Sequence, residues 1–119
     1  MDKMLKQALL FDFYGELLTE HQKSIYEDFV LNDYSLSEIG EDRNISRQGV
    51  YDIIKRCDKL LNGYEEKLHL VQKFLMAKEE VSNIHQLASD LLNAEGDLEK
   101  ATEYLRQIEI ISNKILEEM

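Results

Sequence analysis

A chain of 119 residues with 24 acidic and 14 basic side chains, a formal net charge of −10 and 44% hydrophobic residues is long enough for one core and too short for several domains. One cysteine excludes a disulfide framework, and that cysteine and the three histidines, His21, His69 and His85, lack metal-site spacing. No apolar run is long enough to span a bilayer and no signal-like start is present, so the expected setting is cytoplasmic, without membrane, metal or cofactor.

The absence of proline and the repeated 3.6-residue periodicity point to an all-α fold. Met4 to Tyr14 forms one apolar-striped helix, expected to stop at Gly15, with Phe11, Phe13 and Tyr14 as core residues or, alternatively, an exposed peptide-binding surface. Thr19 and Gln22 have capping-box spacing, and the helix they open turns Ile25, Phe29 and Val30 inward, with Tyr26 and Tyr34 at its edges. Ser35 and Glu38 repeat that spacing, which predicts a helix from Leu36 to Asp42 or Arg43. Gly40 falls where two helices cross closest, and Asn44 where the turn needs a left-handed residue. Ile45 tucks the turn into the core, Ser46 caps a second helix, and Val50 and Ile53 share its buried side. Each signal is weak alone. Their joint spacing specifies a helix-turn-helix better than an αα-hairpin used only for packing, and four helices complete the unit.

With Val50, Ile53, Ile54 and Cys57 facing inward, helical geometry sends Arg47, Gln48, Tyr51, Asp52, Lys55 and Lys59 outward and Arg56 to the flank. Together with Ser46 this makes a candidate nucleic-acid-binding face. Arg47 can grip guanine edges or phosphate, Gln48 can pair with adenine, and Tyr51 can touch a thymine methyl or a phosphate. Lys55, Arg56 and Lys59 suit backbone phosphates, whereas Asp52 either accepts from cytosine or repels.

The segments Leu18-Thr19-Glu20-His21-Gln22, Leu36-Ser37-Glu38-Ile39-Gly40 and Ile45-Ser46-Arg47-Gln48-Gly49-Val50-Tyr51 are similar to sigma-factor region 4. The opening Leu9 to Thr19, the continuation Tyr64-Glu65-Glu66-Lys67-Leu68 and the chain length resemble more closely the small bacterial YlxM-like proteins. That resemblance covers Leu9 to about Leu75 well and the remainder in helical character only. It implies a DNA-binding regulator, and, because members are usually encoded beside the signal recognition particle GTPase, a link to protein targeting. A sigma factor proper would need polymerase-binding regions for which this chain has no room.

Val50, Ile54, Cys57, Leu61, Tyr64, Leu68, Val71 and Leu75 follow alternating four- and three-residue steps, a heptad seam that serves either the chain's own core or a dimer. It predicts a recognition helix running from Arg47 into the mid-seventies, with Gly63 as a bend or break, or Asn62-Gly63 as a helix end. Helices from about Glu79 to Ala94 and Leu98 to Glu117, separated by Glu95-Gly96-Asp97, complete a C-terminal hairpin. The expected division is therefore a wingless helix-turn-helix domain over 1–62 and a dimerising helical extension over 63–119. A homodimer would suit half-sites about 34 Å apart. Cys57 on the seam reads as a small hydrophobe, with a redox switch across a dimer axis as the alternative.

The acidic balance opposes nucleic-acid binding at long range: residues 1–62 carry 8 basic and 12 acidic side chains, residues 63–119 carry 6 and 12. Only Ser46 to Lys59 is locally positive, and screening beyond a Debye length of about 8 Å leaves room for it to dock. Two functions therefore compete. One is a regulator that binds duplex DNA; the other is an adaptor contacting the signal recognition particle GTPase or its RNA. Catalysis has little to stand on, because adjacent acids such as Glu65-Glu66 and Glu79-Glu80 diverge by about 100° on a helix and no phosphate loop or nucleophile-base pairing is present.

Overall fold

The computed structural model describes residues 2–94 and 96–118, and its elements among them are helical: α1 (Lys3–Tyr14), a 3-10 turn (Gly15–Leu17), α2 (Glu20–Val30), α3 (Leu36–Arg43), α4 (Arg47–Leu68), α5 (Leu70–Leu92) and α6 (Leu98–Glu118). They form two compact units, residues 1–71 and 72–119.

In the first unit α4 is the hub, and α1, α2 and α3 all pack against it. Leu10, Phe11 and Tyr14 of α1, Leu18, Ile25, Tyr26 and Val30 around α2, and Ile39 of α3 enclose Val50, Ile54, Cys57 and Leu61. These four repeat at four- and three-residue steps, which places them on one stripe of α4. Phe29 and Ile53, expected inside, are half-buried; Tyr26, expected at an edge, is fully buried. Its hydroxyl donates to Asp58 Oδ1 at 2.5 Å, and Gln7 Nε2 donates to the same oxygen at 3.1 Å. A buried phenol is thus satisfied by a carboxylate on the hub helix, tying α1 and α2 to α4.

Helix ends follow local chemistry. Both capping boxes form: Thr19 Oγ1 accepts from the Gln22 amide and Ser35 Oγ from the Glu38 amide, while the side chains of Gln22 and Glu38 accept from the two cap amides in return. Gly15 ends α1 in a right-handed conformation (φ −57°), so its smallness is needed for space: a Cβ there would lie 3.0 Å from the Phe11 ring.

The recognition helix expected to reach the mid-seventies ends at Leu68, because His69 turns left-handed at φ 56° and α5 begins at Leu70 rather than near Glu79. The break is held from outside the helix. The Leu70 amide donates to the Tyr14 hydroxyl at 3.1 Å, the Val71 amide to Glu65 Oε1 at 3.0 Å, and the Tyr14 hydroxyl itself donates to Glu65 Oε1 at 2.6 Å. Two amides at the start of α5 that a straight helix would pair with carbonyls one turn back are satisfied by α1 and α4 side chains. Burial, then the Glu65 contact, raises the Tyr14 hydroxyl above its ordinary value and keeps it protonated as the donor. Gly63 stays within α4, with open space around it. The seam residues divide accordingly: Val50, Ile54, Cys57 and Leu61 are buried, Tyr64 is half-buried, Leu68 is 47% exposed, and beyond the break Val71 is buried and Leu75 intermediate.

In the second unit Lys114 Nζ of α6 lies 2.8 Å from Glu80 of α5. Asp97 Oδ1 accepts from the Lys100 amide and opens α6, after Gly96 at φ 84°. Of the expected Glu95-Gly96-Asp97 turn, Glu95 lies outside the described residues. Among the described residues from Gln72 onward none is fully buried; Ile108, Ile111 and Ile115 are half-covered and Leu116 is 68% exposed.

Candidate nucleic-acid interface

The turn between α3 and α4 fixes the pitch of the candidate face. Asn44 takes the left-handed conformation at φ 58° and ψ 45°, and its amide and that of Ile45 both donate to the Gly40 carbonyl. Gly40 is required by the turn itself, not by a helix crossing: a Cβ would sit 2.5 Å from the Ile45 carbonyl oxygen. Gly49 is similarly close, with a Cβ position 2.9 Å from Ile45 Cγ2 and 3.1 Å from Ser46 Oγ. The turn is therefore packed tightly on both sides, and α3 is anchored further by Arg43, which donates to Ser24 Oγ and Asp28 Oδ2, each at 2.7 Å. The guanidinium holds the Asp28 carboxyl below the usual carboxylate value.

Ser46 Oγ accepts from the Gly49 amide at 3.0 Å and caps α4, whose first turn carries no acidic residue to offset the positive end of the helix dipole. Beside that end lies an open groove of about 450 Å³ bordered by Ser37, Glu41, Asn44 and Arg47. Ser46, Arg47, Gln48, Tyr51, Lys55, Arg56 and Lys59 are all solvent-exposed; Ser46 and Arg47 border this groove, and the others follow along α4. Among the described residues the ion pairs are Lys23–Glu16, Arg43–Asp28, Arg106–Glu103 and Lys114–Glu80, so Arg47, Lys55, Arg56 and Lys59 keep their charge unpaired. Lys55 Nζ lies 5.4 Å from the Tyr51 ring centroid, a cation–π geometry that stacks the two side chains along the helix.

Two placements were not legible from the sequence. Asp52, left open between base contact and repulsion, accepts from Gln48 Nε2 at 3.0 Å. The Arg43 link to Ser24 and Asp28 joins residues far apart in the chain, and only its position in the last turn of α3 could have suggested it. Cys57 is fully buried and its thiol is pushed up to about 11 by burial and by the neighbouring Asp58, which suits a packing residue and not a reactive thiolate.

Among the described residues no three His, Cys, Asp or Glu side chains converge as a metal site requires, and no helix is long and apolar enough to cross a membrane. Capped, left-turned and sterically closed, α3 and α4 define a helix-turn-helix protein.

The comparisons with known proteins place it more narrowly. Residues 1–111 match the sequence model of UPF0122, described as "Putative helix-turn-helix protein, YlxM / p13 like", and the chain belongs to that family. It is 43% identical over 116 residues to a UPF0122 protein of Thermoanaerobacter sp., covering 98% of this chain and 96% of the relative. A UPF0122 protein of Bacillus velezensis is 46% identical over 95 residues, 80% of this chain and 86% of the relative. One from Acetivibrio thermocellus is 59% identical over 78 residues, 66% of this chain and 67% of the relative.

Proposed function

We propose that the chain is a non-enzymatic, cytoplasmic regulator that docks α4 in the major groove of duplex DNA. Ser46, Arg47, Gln48, Tyr51 and Lys55 face the bases and nearest phosphates, and Arg56 and Lys59 hold phosphates further along. The observation that carries this reading is the unpaired, exposed cationic side of α4 at a helix start free of acidic residues. A net charge of −10 makes single-copy binding weak and strongly salt-dependent. Two copies joined through residues 63–119, the proposed dimerising region beyond a DNA-binding domain of residues 1–62, raise it by effective concentration. Of the seam residues, Tyr64, Leu68 and Leu75 are less covered than Val50 to Leu61 and are the ones offered to the second copy, whereas Val71 is buried within its own chain.

A second reading is an adaptor for the signal recognition particle GTPase or its RNA; the acidity and the absence of fully buried side chains among described residues beyond Val71 favour it. Fluorescence anisotropy over a salt series, against duplex DNA, the particle's RNA and its GTPase, separates the two. Under the DNA reading Arg47→Ala costs about 1 to 3 kcal/mol on a preferred site and Lys59→Ala mainly flattens the salt slope. GTPase binding that is tight and indifferent to both substitutions, with no duplex binding, would replace it by the adaptor.

A further inference from the structure

The contact between Gln48 and Asp52 gives an exposed carboxylate on a DNA-facing helix a use. A carboxylate only accepts hydrogen bonds, so the group 3.0 Å from Asp52 Oδ1 must be the Gln48 amide nitrogen. The orientation of the Gln48 amide is thereby fixed: one N–H is held by Asp52, and the second N–H and the carbonyl oxygen remain for another partner. One donor beside one acceptor is the complement of the adenine edge in the major groove, which offers N7 as acceptor and the N6 amino group as donor. A guanine edge offers two acceptors and cytosine only a donor, so a Gln48 held in this way fits neither with both groups. Both residues are exposed, and Gln48 lies in the first turn of α4 with Asp52 one turn further on, so Asp52 lies behind the reading position along the helix.

We infer that Asp52 is a positioning residue that locks the Gln48 amide to read adenine, and that it does not itself contact a base. This rests on the proposed docking of α4 in the major groove. Asp52 also places a negative charge near phosphates, which weakens binding to every sequence alike. The arrangement exchanges general affinity for discrimination at one base pair.

The test is enrichment of random duplex DNA by the full-length chain and by Asp52→Ala, Asp52→Asn and Gln48→Ala, followed by anisotropy on the enriched duplex with each base pair placed at the position that Gln48→Ala affects. Wild type prefers adenine there by about tenfold or more. Asp52→Ala reduces that preference to about twofold while tightening binding to all duplexes, because positioning and charge are lost together. Asp52→Asn, which keeps an acceptor oxygen without the charge, retains the adenine preference and also binds all duplexes more tightly. A pair that only stabilised the helix would change the melting temperature and leave base preference alone. An adenine preference unchanged in Asp52→Ala, or a base other than adenine at that position, overturns the assignment while leaving DNA binding intact. A wild-type chain that enriches no duplex overturns the docking reading and this assignment with it.

Discussion

Residues 2–71 and the described residues beyond them make opposite use of similar helices. The first unit buries whole side chains, Tyr14, Tyr26, Ile25, Ile39, Val50, Cys57 and Leu61 among them, and adds polar ties at Asp58, Glu65 and Asp28. The second has an apolar stripe on α6 through Ala101, Leu105, Ile108, Ile111 and Ile115 that is half-covered at best, with Leu105 55% exposed. An amphipathic pattern therefore specifies a helix in both regions, but only the first has enough neighbours to turn the pattern into a closed core. Periodicity reports which side of a helix is apolar, and the number of elements around it decides how dry that side becomes.

The largest effect is expected from separating the two. A fragment of residues 1–71 should unfold cooperatively in urea, whereas residues 72–119 alone at low micromolar concentration should lose most of their helical circular dichroism, since isolated helices of this length are marginal without tertiary packing. A cooperative transition in the second fragment at that concentration would erase the contrast.

Next in size is Gly40→Ala. Its Cβ would meet a backbone oxygen at 2.5 Å, which cannot rotate away, so a loss of about 1 to 3 kcal/mol in urea denaturation is expected. Gly63→Ala, with nothing near it in the middle of α4, should instead stabilise by up to about 1 kcal/mol. Equal effects at the two glycines would contradict the steric account of the turn.

The Arg43–Asp28 tie makes part of the first unit's stability depend on pH. Asp28 has its folded value lowered from 3.8, chiefly by the Arg43 hydrogen bond, so the associated stability is complete above the unfolded value and lost as pH falls through the lowered one. The gap in urea midpoint between wild type and Arg43→Met, open at about pH 6, should therefore narrow below about pH 4. A gap that widens in acid would reverse the sign of this contribution. The smallest effect belongs to Lys114→Ala in α6: its partner Glu80 is on α5, yet the ammonium is exposed to solvent, and the melting midpoint should not move measurably.

Much of the helix-turn-helix was legible because its determinants are local. Ser35 with Glu38, Thr19 with Gln22, Asn44 at the turn and Ser46 at the second cap act over three or four residues, and the structure places each as its chemistry requires. The likeness to sigma-factor region 4 is carried by the same stretch, and the closer family resemblance by the segments on either side of it, Leu9 to Thr19 and Tyr64 to Leu68. What escaped the sequence depends on partners far away. Nothing in Leu68-His69-Leu70 announces a helix break, and the heptad steps pass through it; the cause is Tyr14, brought alongside by the packing of α1 on α4. Tyr26, expected at an edge, is fully buried because Asp58 supplies its hydroxyl with a partner from thirty-two positions further along the chain. The outward set from Arg47 to Lys59 followed from helical geometry alone, but the Gln48–Asp52 hydrogen bond within it required a choice among side-chain rotamers that periodicity does not make.

The Tyr14–Glu65 clasp at the start of α5 also sets an order of events during folding. The Leu70 amide and the Tyr14 hydroxyl are separated by 56 positions, so their bond can close only after α1 has come to rest on α4. Ordinary first-turn amides fray and exchange quickly with solvent deuterons; those of Leu70 and Val71 should exchange only when the whole N-terminal assembly opens. On a ribosome, α1 emerges early and waits for α4, so the first turn of α5 is a late registrar of whether the preceding seventy residues have been put together correctly.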